Sequence, residues 1–382
     1  MTWQVRPLGE LCEVLDSKRK PITKRDRVAG DYPYYGATGI LDHVTSYIFD
    51  EDLVLLGEDG AKWGAGENSA FIASGKYWVN NHAHVLRPLK DRLDQKWLVY
   101  FLNFGDLMPF VSGLTVPKLN QGSMREIQVP VPPLPEQYRI VALLDEAFAG
   151  IAIAKLNAEK SLHNAQNVFD RHLSEVFTLR GDGWARKQIA DIAEIKGGKR
   201  VPKGYKLEHM PTGFPYLRVT DFLDSGTVDT SDLRYISKDI QQGIKNYIIR
   251  KDDLYISIAG TIGKTGIIPA ELDGANLTEN ACRLVFREGI SNRYVYHFTT
   301  TREFLDQVGA NTRTAAQPKL ALSRLATIEL SLPALKRQIE LADSFDELSS
   351  ETRQLQSLYT RKLGVLDELK QSLLHQAFSG QL

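Results

Sequence analysis

The chain has 382 residues, of which 43% are hydrophobic and 25% charged, and its formal net charge is zero. This length and composition predict two or more globular domains with their own cores, and they exclude a uniformly basic nucleic-acid-binding chain. No apolar run reaches the roughly 18 residues of a membrane helix, and the first residues lack the basic-then-apolar pattern of a secretory signal. We therefore expect no membrane association and a cytoplasmic location.

Residues 1–128 form the first predicted domain. Short runs such as Tyr32–Gly36 and Asp52–Gly57 are separated by glycine, proline and acidic residues, and this punctuation is typical of the short strands and turns of an α+β or mostly β domain. We expect both cysteines of the chain, Cys12 here and Cys282 in the second half, to be small buried residues.

Basic residues cluster early in this domain. Residues 16–27 contain six basic and two acidic side chains, and residues 196–206 contain five basic and no acidic side chains. Charge runs are usually solvated faces. These two basic clusters, however, occupy matched places in the two halves of the chain, and this recurrence favours contact with phosphate groups.

A long helix is predicted within residues 129–180. A strand leads into a proline-rich corner at 130–135, after which Gly150 is the only glycine or proline before Gly181. Apolar residues then recur at steps of seven, the pattern of a coiled-coil seam. Because a helix of this length cannot bury its stripe against its own small domain, its predicted partner is a second long helix.

The second half of the chain repeats the first. The openings of the two halves match at an offset of 181 and their ends at an offset of 201, so each copy is as large as a domain. Residues 181–329 are the second predicted domain and residues 330–382 the second helix. The matched residues include Trp3 and Trp184, Lys18 and Lys199, Arg19 and Arg200, Lys118 and Lys319, and Gln137 and Gln338.

The predicted fold is therefore α+β, with two globular α/β domains separated by two long antiparallel helices and related by a pseudo-two-fold internal repeat. Such a chain presents two similar surfaces at a fixed separation. The predicted seam residues of the helices are Leu144, Ile151, Leu162, Phe169, Leu341, Leu348, Leu355 and Leu366.

A glycine-rich segment in the second half resembles the end of a phosphate-binding loop. The Walker pattern requires glycine five residues before Gly263, where this chain has Ile258. We interpret the segment as a turn between strands that places Thr261 and Lys264 against a phosphate backbone.

Two histidines, His82 and His84, share one face if they lie on a strand. Metal binding, hydrogen bonding at a strand edge and base contact are all compatible with this spacing. The repeat position Cys282 carries no histidine, and no set of carboxylates or cysteines accompanies the pair, so we predict no metal site. The sequence also contains no catalytic motif that we could identify, which predicts a protein without enzymatic activity.

Aromatic residues lie among the basic residues near glycine turns, a combination that favours a nucleic-acid surface, although most aromatics in such domains belong to the core. The candidate DNA-binding residues are Lys18, Arg19, Lys20, Lys24, Arg25, Tyr34, Tyr35, Lys62, Trp63, Asn81, Lys118, Lys199, Arg200, Lys203, Tyr216, Arg218, Thr261, Lys264 and Lys319.

Seven segments of the chain carry recognisable motifs: 16–22 (DSKRKPI), 31–40 (DYPYYGATGI), 54–61 (VLLGEDGA), 132–137 (PPLPEQ), 215–218 (PYLR), 260–264 (GTIGK) and 373–382 (LLHQAFSGQL). In order and in both copies, they resemble the specificity subunits of type I restriction-modification enzymes. The second helix opening, at 333–338, and the turn at 196–202 depart slightly from the family pattern.

This resemblance implies a non-catalytic subunit with two target recognition domains that each read one half of a split double-stranded DNA target. It also implies partners: two modification subunits, which methylate adenine N6 with S-adenosylmethionine, and, in complexes that restrict, subunits that use ATP and magnesium. It implies no cofactor bound by this chain itself.

Two other functions remain open from the residues alone. A coiled-coil scaffold without a DNA role explains the helices but not the matched basic clusters. An enzyme with its own recognition domain requires a cofactor loop and an Asn/Asp-Pro-Pro-aromatic tetrapeptide. The nearest segment, 131–134, reads VPPL.

Overall fold

The computed structural model describes residues 3–113, 115–179, 183–312 and 318–382. The chain forms two compact units: unit 1 comprises Met1–Lys160 and Tyr359–Leu382, and unit 2 comprises Ser161–Leu358. The chain passes between the units at two points, both inside long helices. The predicted boundary at 180 and 181 lies outside the described residues.

The described residues of unit 1 form ten strands in three sheets. Their order is β2-β9-β6-β7, β4-β3-β8-β5 and β1-β10 once the strands are numbered along the chain. The strands are β1 (Gln4–Pro7), β2 (Cys12–Val14), β3 (Tyr32–Gly36), β4 (Gly39–Val44), β5 (Phe49–Asp50), β6 (Leu53–Gly57), β7 (Ala70–Ala73), β8 (Lys76–Val79), β9 (Ala83–Pro88) and β10 (Gln128–Val131). The helices are α1 (Leu8–Leu11), α2 (Gln95–Phe104), α3 (Gln121–Arg125) and α4 (Leu134–Leu179), of which α4 continues into unit 2.

Strand β6 contributes side chains to two apolar clusters of unit 1. All five of its residues are buried. Val54 and Leu56 face one apolar cluster together with α2, while Leu53 and Leu55 face a second cluster. Side chains alternate along a strand, so a continuous apolar run is stable here because both faces of the sheet are covered.

Unit 2 contains nine strands among its described residues, in sheets ordered β12-β18-β15-β16, β14-β13-β17 and β11-β19. The strands are β11 (Ala185–Gln188), β12 (Ala193–Gly197), β13 (Pro215–Leu217), β14 (Arg234–Tyr235), β15 (Leu254–Ser257), β16 (Thr265–Gly266), β17 (Asn276–Leu277), β18 (Ala281–Phe286) and β19 (Glu329–Leu332). The helices are α5 (Ile189–Ile192), α6 (Lys238–Gly243), α7 (Asn292–Thr299), α8 (Arg302–Asn311), α9 (Leu322–Leu325) and α10 (Leu335–Ser379), which ends in unit 1.

The sequence repeat is a structural repeat. The four-stranded sheet β2-β9-β6-β7 corresponds to β12-β18-β15-β16, and the pair β1-β10 corresponds to β11-β19. In addition, β3 pairs with β8 and β13 pairs with β17, both in parallel. The prediction of a repeated α+β fold is therefore confirmed.

Matched polar contacts attach each long helix to its own domain. Gln137 of α4 is fully buried, accepts from the Asp94 amide at 2.8 Å and donates to the Pro132 carbonyl at 2.8 Å. Gln338 of α10 makes the equivalent contacts to the Ser291 amide at 2.9 Å and the Pro333 carbonyl at 2.9 Å. Each glutamine thereby fixes where its helix leaves the sheet.

The long helices pair with each other within each unit. In unit 1, Arg139 donates to the carbonyl of Leu382 at 2.8 Å, and Lys155 pairs with Asp367. This reversed order of contacts makes the helices antiparallel, as predicted. In unit 2, the rings of Phe177 and Phe345 stack with centroids 5.9 Å apart.

The predicted seam residues of α4 and α10 differ in burial. Leu144, Ile151 and Leu341 are buried, but Leu355 is 43% exposed. Seven residues of an ideal α-helix fall about 20° short of two full turns, so a strict heptad row that starts at Leu341 rotates out of the interface. Leu355 is therefore corrected to a surface position. The remaining predicted seam residues, all half-buried, are Leu162, Phe169, Leu348 and Leu366.

Candidate nucleic-acid interface

Four segments meet at one edge of the main sheet in unit 1. They are the loop 15–21 after β2, the loop 58–61 after β6, the turn 80–82 before β9 and the segment 117–121. Backbone hydrogen bonds fasten them together: the Glu58 amide donates to the His82 carbonyl, and the Leu119 amide to the Glu58 carbonyl, both at 2.8 Å. We call these four segments the unit 1 loop cluster.

A buried network of charges lies inside the unit 1 loop cluster. Arg19 pairs with Glu58 and donates to the Ala83 carbonyl at 2.8 Å, and Lys118 lies 2.9 Å from Glu58. His84 is fully buried, with Nδ1 2.6 Å from Asp16 and Nε2 2.7 Å from the Leu119 carbonyl. Both partner atoms are oxygens, so His84 connects the loop after β2 to the segment 117–121.

The two carboxyl groups of this network are ionised. Burial alone would raise the pKa of Asp16 and of Glu58. Hydrogen bonds from His84 to Asp16, and from Lys118 and Arg19 to Glu58, outweigh burial and hold both pKa values below their usual range. The hydrogen bond to Glu58 in turn raises the pKa of Lys118. The network therefore neutralises most of its own charge.

Asp16, Glu58 and His84 also offer three ligand atoms within 4.8 Å of one another. Arg19 and Lys118 already bind the oxygens that a cation would need. These three residues are therefore better explained as part of an ion network within the protein than as a metal site. His82 contributes nothing to this set, because its Nδ1 faces Asp59 instead.

Unit 2 has a matching group of segments: the loop 197–203 after β12, the loop 258–261 after β15, the turn 278–280 before β18 and the segment 318–322. The Ile258 amide donates to the Asn280 carbonyl at 2.8 Å, and the Leu320 amide to the Ile258 carbonyl at 2.9 Å. These bonds are the counterparts of those in unit 1. We call these segments the unit 2 loop cluster.

The interior of the unit 2 loop cluster is apolar. Strand registers place Ile258 where unit 1 has Glu58, and Cys282 where it has His84. Ile258 is 3% exposed and Cys282 fully buried, and burial raises the pKa of the Cys282 thiol to about 12. Within the described part of the chain Lys319, the counterpart of Lys118, forms no ion pair, and its side chain is exposed.

The family model described as type I restriction modification DNA specificity domain matches residues 1–163 and again residues 181–359. These two matches cover most of the chain. The chain belongs to this family. It is a DNA specificity subunit, which recognises DNA and does not itself catalyse a reaction.

Relatives of this family align along most of the chain. A type I restriction enzyme specificity subunit of Haemophilus influenzae is 28% identical over 366 residues, covering 90% of this chain and 88% of the relative. The EcoBI specificity subunit of Escherichia coli is 22% identical over 88% of this chain and 74% of its own length.

Solved structures show the same fold. A chain of a type I restriction-modification system superposes with a TM-score of 0.73 at 16% identity, covering 100% of this chain and 98% of that one. The HsdS subunit from Thermoanaerobacter tengcongensis superposes with a TM-score of 0.63 at 17% identity, covering 100% of this chain and 97% of that one.

In the described residues of this specificity subunit, no helix is long and apolar enough to cross a membrane.

The structure separates the sequence-predicted DNA-binding residues of this specificity subunit by exposure. Half-buried are Arg19, Tyr35, Arg218 and Lys264, and buried are Tyr34, Trp63 and Tyr216. The exposed residues are Lys18, Lys20, Lys24, Arg25, Lys62, Asn81, Lys118, Lys199, Arg200, Lys203, Thr261 and Lys319.

Three predicted aromatic contacts are corrected to core positions that hold the loops. Tyr34 is 1% exposed, and its hydroxyl accepts from the Ile22 amide at 2.9 Å. Tyr216, at the matching place, is 3% exposed and donates to the Lys199 carbonyl at 2.9 Å. Trp63 is 4% exposed and donates from Nε1 to the Gly57 carbonyl at 2.9 Å. A large ring with one polar tip stabilises a core while anchoring the loop above it.

Several predicted cations are bound within the protein. Arg218 is held by Asp221, with Nη2 2.5 Å from Oδ1. Lys264 donates to the Phe222 carbonyl at 3.2 Å and pairs with Asp224 at 2.8 Å. The segment that carries Lys264 and Thr261 is a hairpin loop between β15 and β16, where Gly260 and Gly263 have φ of +76° and +90°. It is the predicted turn between strands.

Sequence reasoning missed the charged network of unit 1. Its members come from segments that are distant in the sequence; Asp16 and His84, for example, are 68 residues apart. The available signal was the pair of acidic residues, Asp16 and Glu58, inside otherwise basic or glycine-rich motifs. An acid at such a place is expected to have a cationic partner nearby.

Proposed function

We propose that this specificity subunit reads a split DNA target, with one half bound by each unit through its loop cluster. The observation that carries this proposal is the pair of loop clusters, which share a backbone framework and differ in their side chains. Identical surfaces would suit a symmetric target, so the two half-sites should differ in sequence. In this proposal residues 1–128 and 181–329 recognise DNA, and residues 129–180 and 330–382 provide the helices.

Phosphate attraction would come from the exposed cations around the loop clusters. Lys18 and Lys20 belong to the unit 1 loop cluster, and Lys199, Lys203 and Lys319 belong to that of unit 2. Such contacts bind any DNA sequence and weaken steeply with salt. Sequence must then be read by other side chains that reach base edges.

The helices α4 and α10 would set the gap between the half-sites. Both points at which the chain passes from one unit to the other lie inside them, at 160/161 and 358/359. Continuous backbone hydrogen bonding makes a helix stiff along its axis. The number of helical residues would then determine the number of base pairs between the two halves.

Modification subunits would bind to apolar residues that the long helices leave exposed. Leu355, Leu358 and Val365 of α10 are 43%, 56% and 53% exposed, and Ile153 and Leu156 of α4 are 63% and 66% exposed. Exposed apolar stripes at helical spacing commonly bind further helices. The internal repeat favours two modification subunits per chain.

The chemistry of such a complex would belong to the partners in the cytoplasm. Modification subunits would supply S-adenosylmethionine for adenine methylation, and restriction subunits, in a complex that restricts, would use ATP and magnesium. This chain would contribute the target sequence and would bind neither cofactor.

Sequencing of methylated adenines in cells that make this chain with its modification subunit tests the proposal. One bipartite motif with two unlike halves and a fixed gap is expected, and native mass spectrometry should find two modification subunits per chain. Methylation without a sequence motif, or a continuous motif, would contradict it. A complex that forms but does not shift DNA in a gel would instead favour a coiled-coil scaffold.

A further inference from the structure

We propose that the turn 80–82 of unit 1 and its counterpart 278–280 of unit 2 are specificity-determining elements, whose side chains read base edges and make the two half-sites differ. This inference rests on the proposed function, because it assumes that each loop cluster faces DNA.

The two turns occupy the same place on the same framework. The Asn80 amide donates to the Tyr35 carbonyl at 3.0 Å, and the Thr278 amide donates to the Leu217 carbonyl at 3.0 Å. On the far side of each turn, the carbonyls of His82 and Asn280 accept from the loop after the central strand, both at 2.8 Å. Backbone position is thus matched, and differences in recognition must arise from side chains.

The turns are also held rigidly. In unit 1, the buried Asn80 accepts from the His82 amide through its side chain at 2.8 Å, and Arg19 donates to the Ala83 carbonyl at 2.8 Å. In unit 2, Thr278 donates to Glu279 at 3.0 Å. Preorganised side chains on a rigid support lose little entropy when they bind, and therefore discriminate well.

The side chains at matched turn positions differ in chemistry while their cationic neighbours do not. Asn81 corresponds to Glu279, and His82 to Asn280, whereas Lys118 and Lys319 are both lysine. Matched lysines suit the phosphate backbone, which is the same in both half-sites. The unmatched residues of the two turns suit the bases, which differ between the half-sites.

Asn81 fits adenine by its hydrogen-bonding pattern. Its side chain is exposed, and an amide offers one donor and one acceptor side by side, which matches N7 and N6 of adenine in the major groove. Glu279 offers only acceptors, and one of its oxygens already binds Arg200. The half-site of unit 1 should therefore contain an adenine that the turn contacts, and the half-site of unit 2 should not contain it at the equivalent place.

Reciprocal grafts test this assignment in the complete complex with modification subunits. The variant N81E/H82N gives unit 1 the residues of unit 2, and E279N/N280H does the reverse. Asn81→Asp is a near-isosteric companion that replaces the amide donor with an acceptor. Lys118→Ala is the matched control, since it removes a cation that both units share.

The grafts should each change one or two adjacent base pairs of a single half-site in the methylated motif and leave the other half and the gap intact. Asn81→Asp should lower relative methylation of the adenine-containing site by roughly ten- to a hundredfold, whereas Lys118→Ala should weaken all sequences alike. An unchanged motif in both grafts and in Asn81→Asp would overturn this proposal alone. A wild-type complex that does not bind DNA would overturn the proposed function and this proposal with it.

Discussion

The two loop clusters have the same backbone framework, but the interior of one is charged and that of the other is apolar. Unit 1 joins its loops through a network of buried charges around Glu58 and His84, whereas unit 2 fills the same space with Ile258 and Cys282. The backbone hydrogen bonds that surround these side chains are nevertheless matched. The comparison shows that this framework does not depend on one kind of interior.

The difference also changes what the flanking cations can do. Arg19 is 13% exposed and bound to Glu58, whereas its counterpart Arg200 is 77% exposed and pairs with Glu279 at the surface. Lys118 is paired with Glu58, while Lys319, in the described residues, has no acidic partner. At the arginine position the cation is therefore held inside unit 1 and exposed in unit 2, whereas the lysine at the other position is exposed in both units.

The largest expected effect follows from breaking the charged network at one member. Glu58→Ala leaves Arg19 and Lys118 without their carboxylate, and loss of one partner from a buried ion network costs about 3–5 kcal/mol. The triple variant D16G/E58I/H84C, which copies the interior of unit 2, should cost much less, because apolar residues can replace a buried ion network at little net cost. Urea unfolding measures the stability of both variants, and hydrogen exchange measures how much of the change lies in unit 1.

A triple variant as unstable as Glu58→Ala would contradict the view that the two interiors are interchangeable. Ile258→Ala in unit 2 is the matched control for lost volume. It should destabilise unit 2 by about 2–5 kcal/mol and leave exchange in the unit 1 loop cluster unchanged.

The next largest effect concerns the number of base pairs in the gap between the two half-sites. Seven residues inserted after Ala158, with seven more inserted next to Tyr359, preserve the heptad pattern and lengthen each helix by about 10 Å, or roughly three base pairs. The methylated motif should show a longer gap with both half-sites unchanged. A complex that still methylates with the original gap would refute the role of the helices.

Salt dependence separates the exposed cations of unit 2 from the bound cation of unit 1. The variant K199A/R200A should reduce the slope of log affinity against log salt by about one to two units, weaken all DNA sequences alike and leave the motif unchanged. Arg19→Ala should lower the stability of unit 1 and change the slope little. Relaxed specificity at one base pair with an intact slope would instead make Lys199 and Arg200 base readers.

The smallest expected effect is a greater response to acid in the interior of the unit 1 loop cluster than in the apolar interior of the unit 2 loop cluster. The folded-state pKa values of Asp16 and Glu58 are lowered: burial raises them, but hydrogen bonds from His84, Lys118 and Arg19 outweigh it. Their stabilising contribution is therefore complete above roughly pH 4 to 5 and is lost as pH falls through the lowered values. Protection of the Leu119 amide from hydrogen exchange should fall in acid relative to that of the Leu320 amide. Equal losses at both amides would contradict this.

The sequence predicted those features that depend on local pattern. The internal repeat, the strand-rich domains, the hairpin loop at Gly260 and the two long helices all produce periodic or punctuated sequence, and the structure contains each of them. The pairing of the two helices followed from their length, because neither small domain could cover such a stripe. The antiparallel direction followed from the internal repeat.

The features that the sequence did not predict depend on which segments become neighbours. Tyr34 and Tyr216 carry the same aromatic signal as a surface contact, and only strand pairing shows that both are buried below the basic loops. Leu355 keeps the heptad but leaves the interface, because a small rotation per heptad accumulates along the helix. The partners of Arg19 lie in three separate segments and leave no local pattern.

Exchange of residues 181–328 for the matching region of another family member tests most directly whether the two units read DNA separately. Methylated adenines should be sequenced in cells that make the exchanged chain with its modification subunit. One half of the motif should then change to that of the donor, while the other half and the gap stay as they are. A change in both halves would show that the units do not read separately, and no change would place recognition outside unit 2.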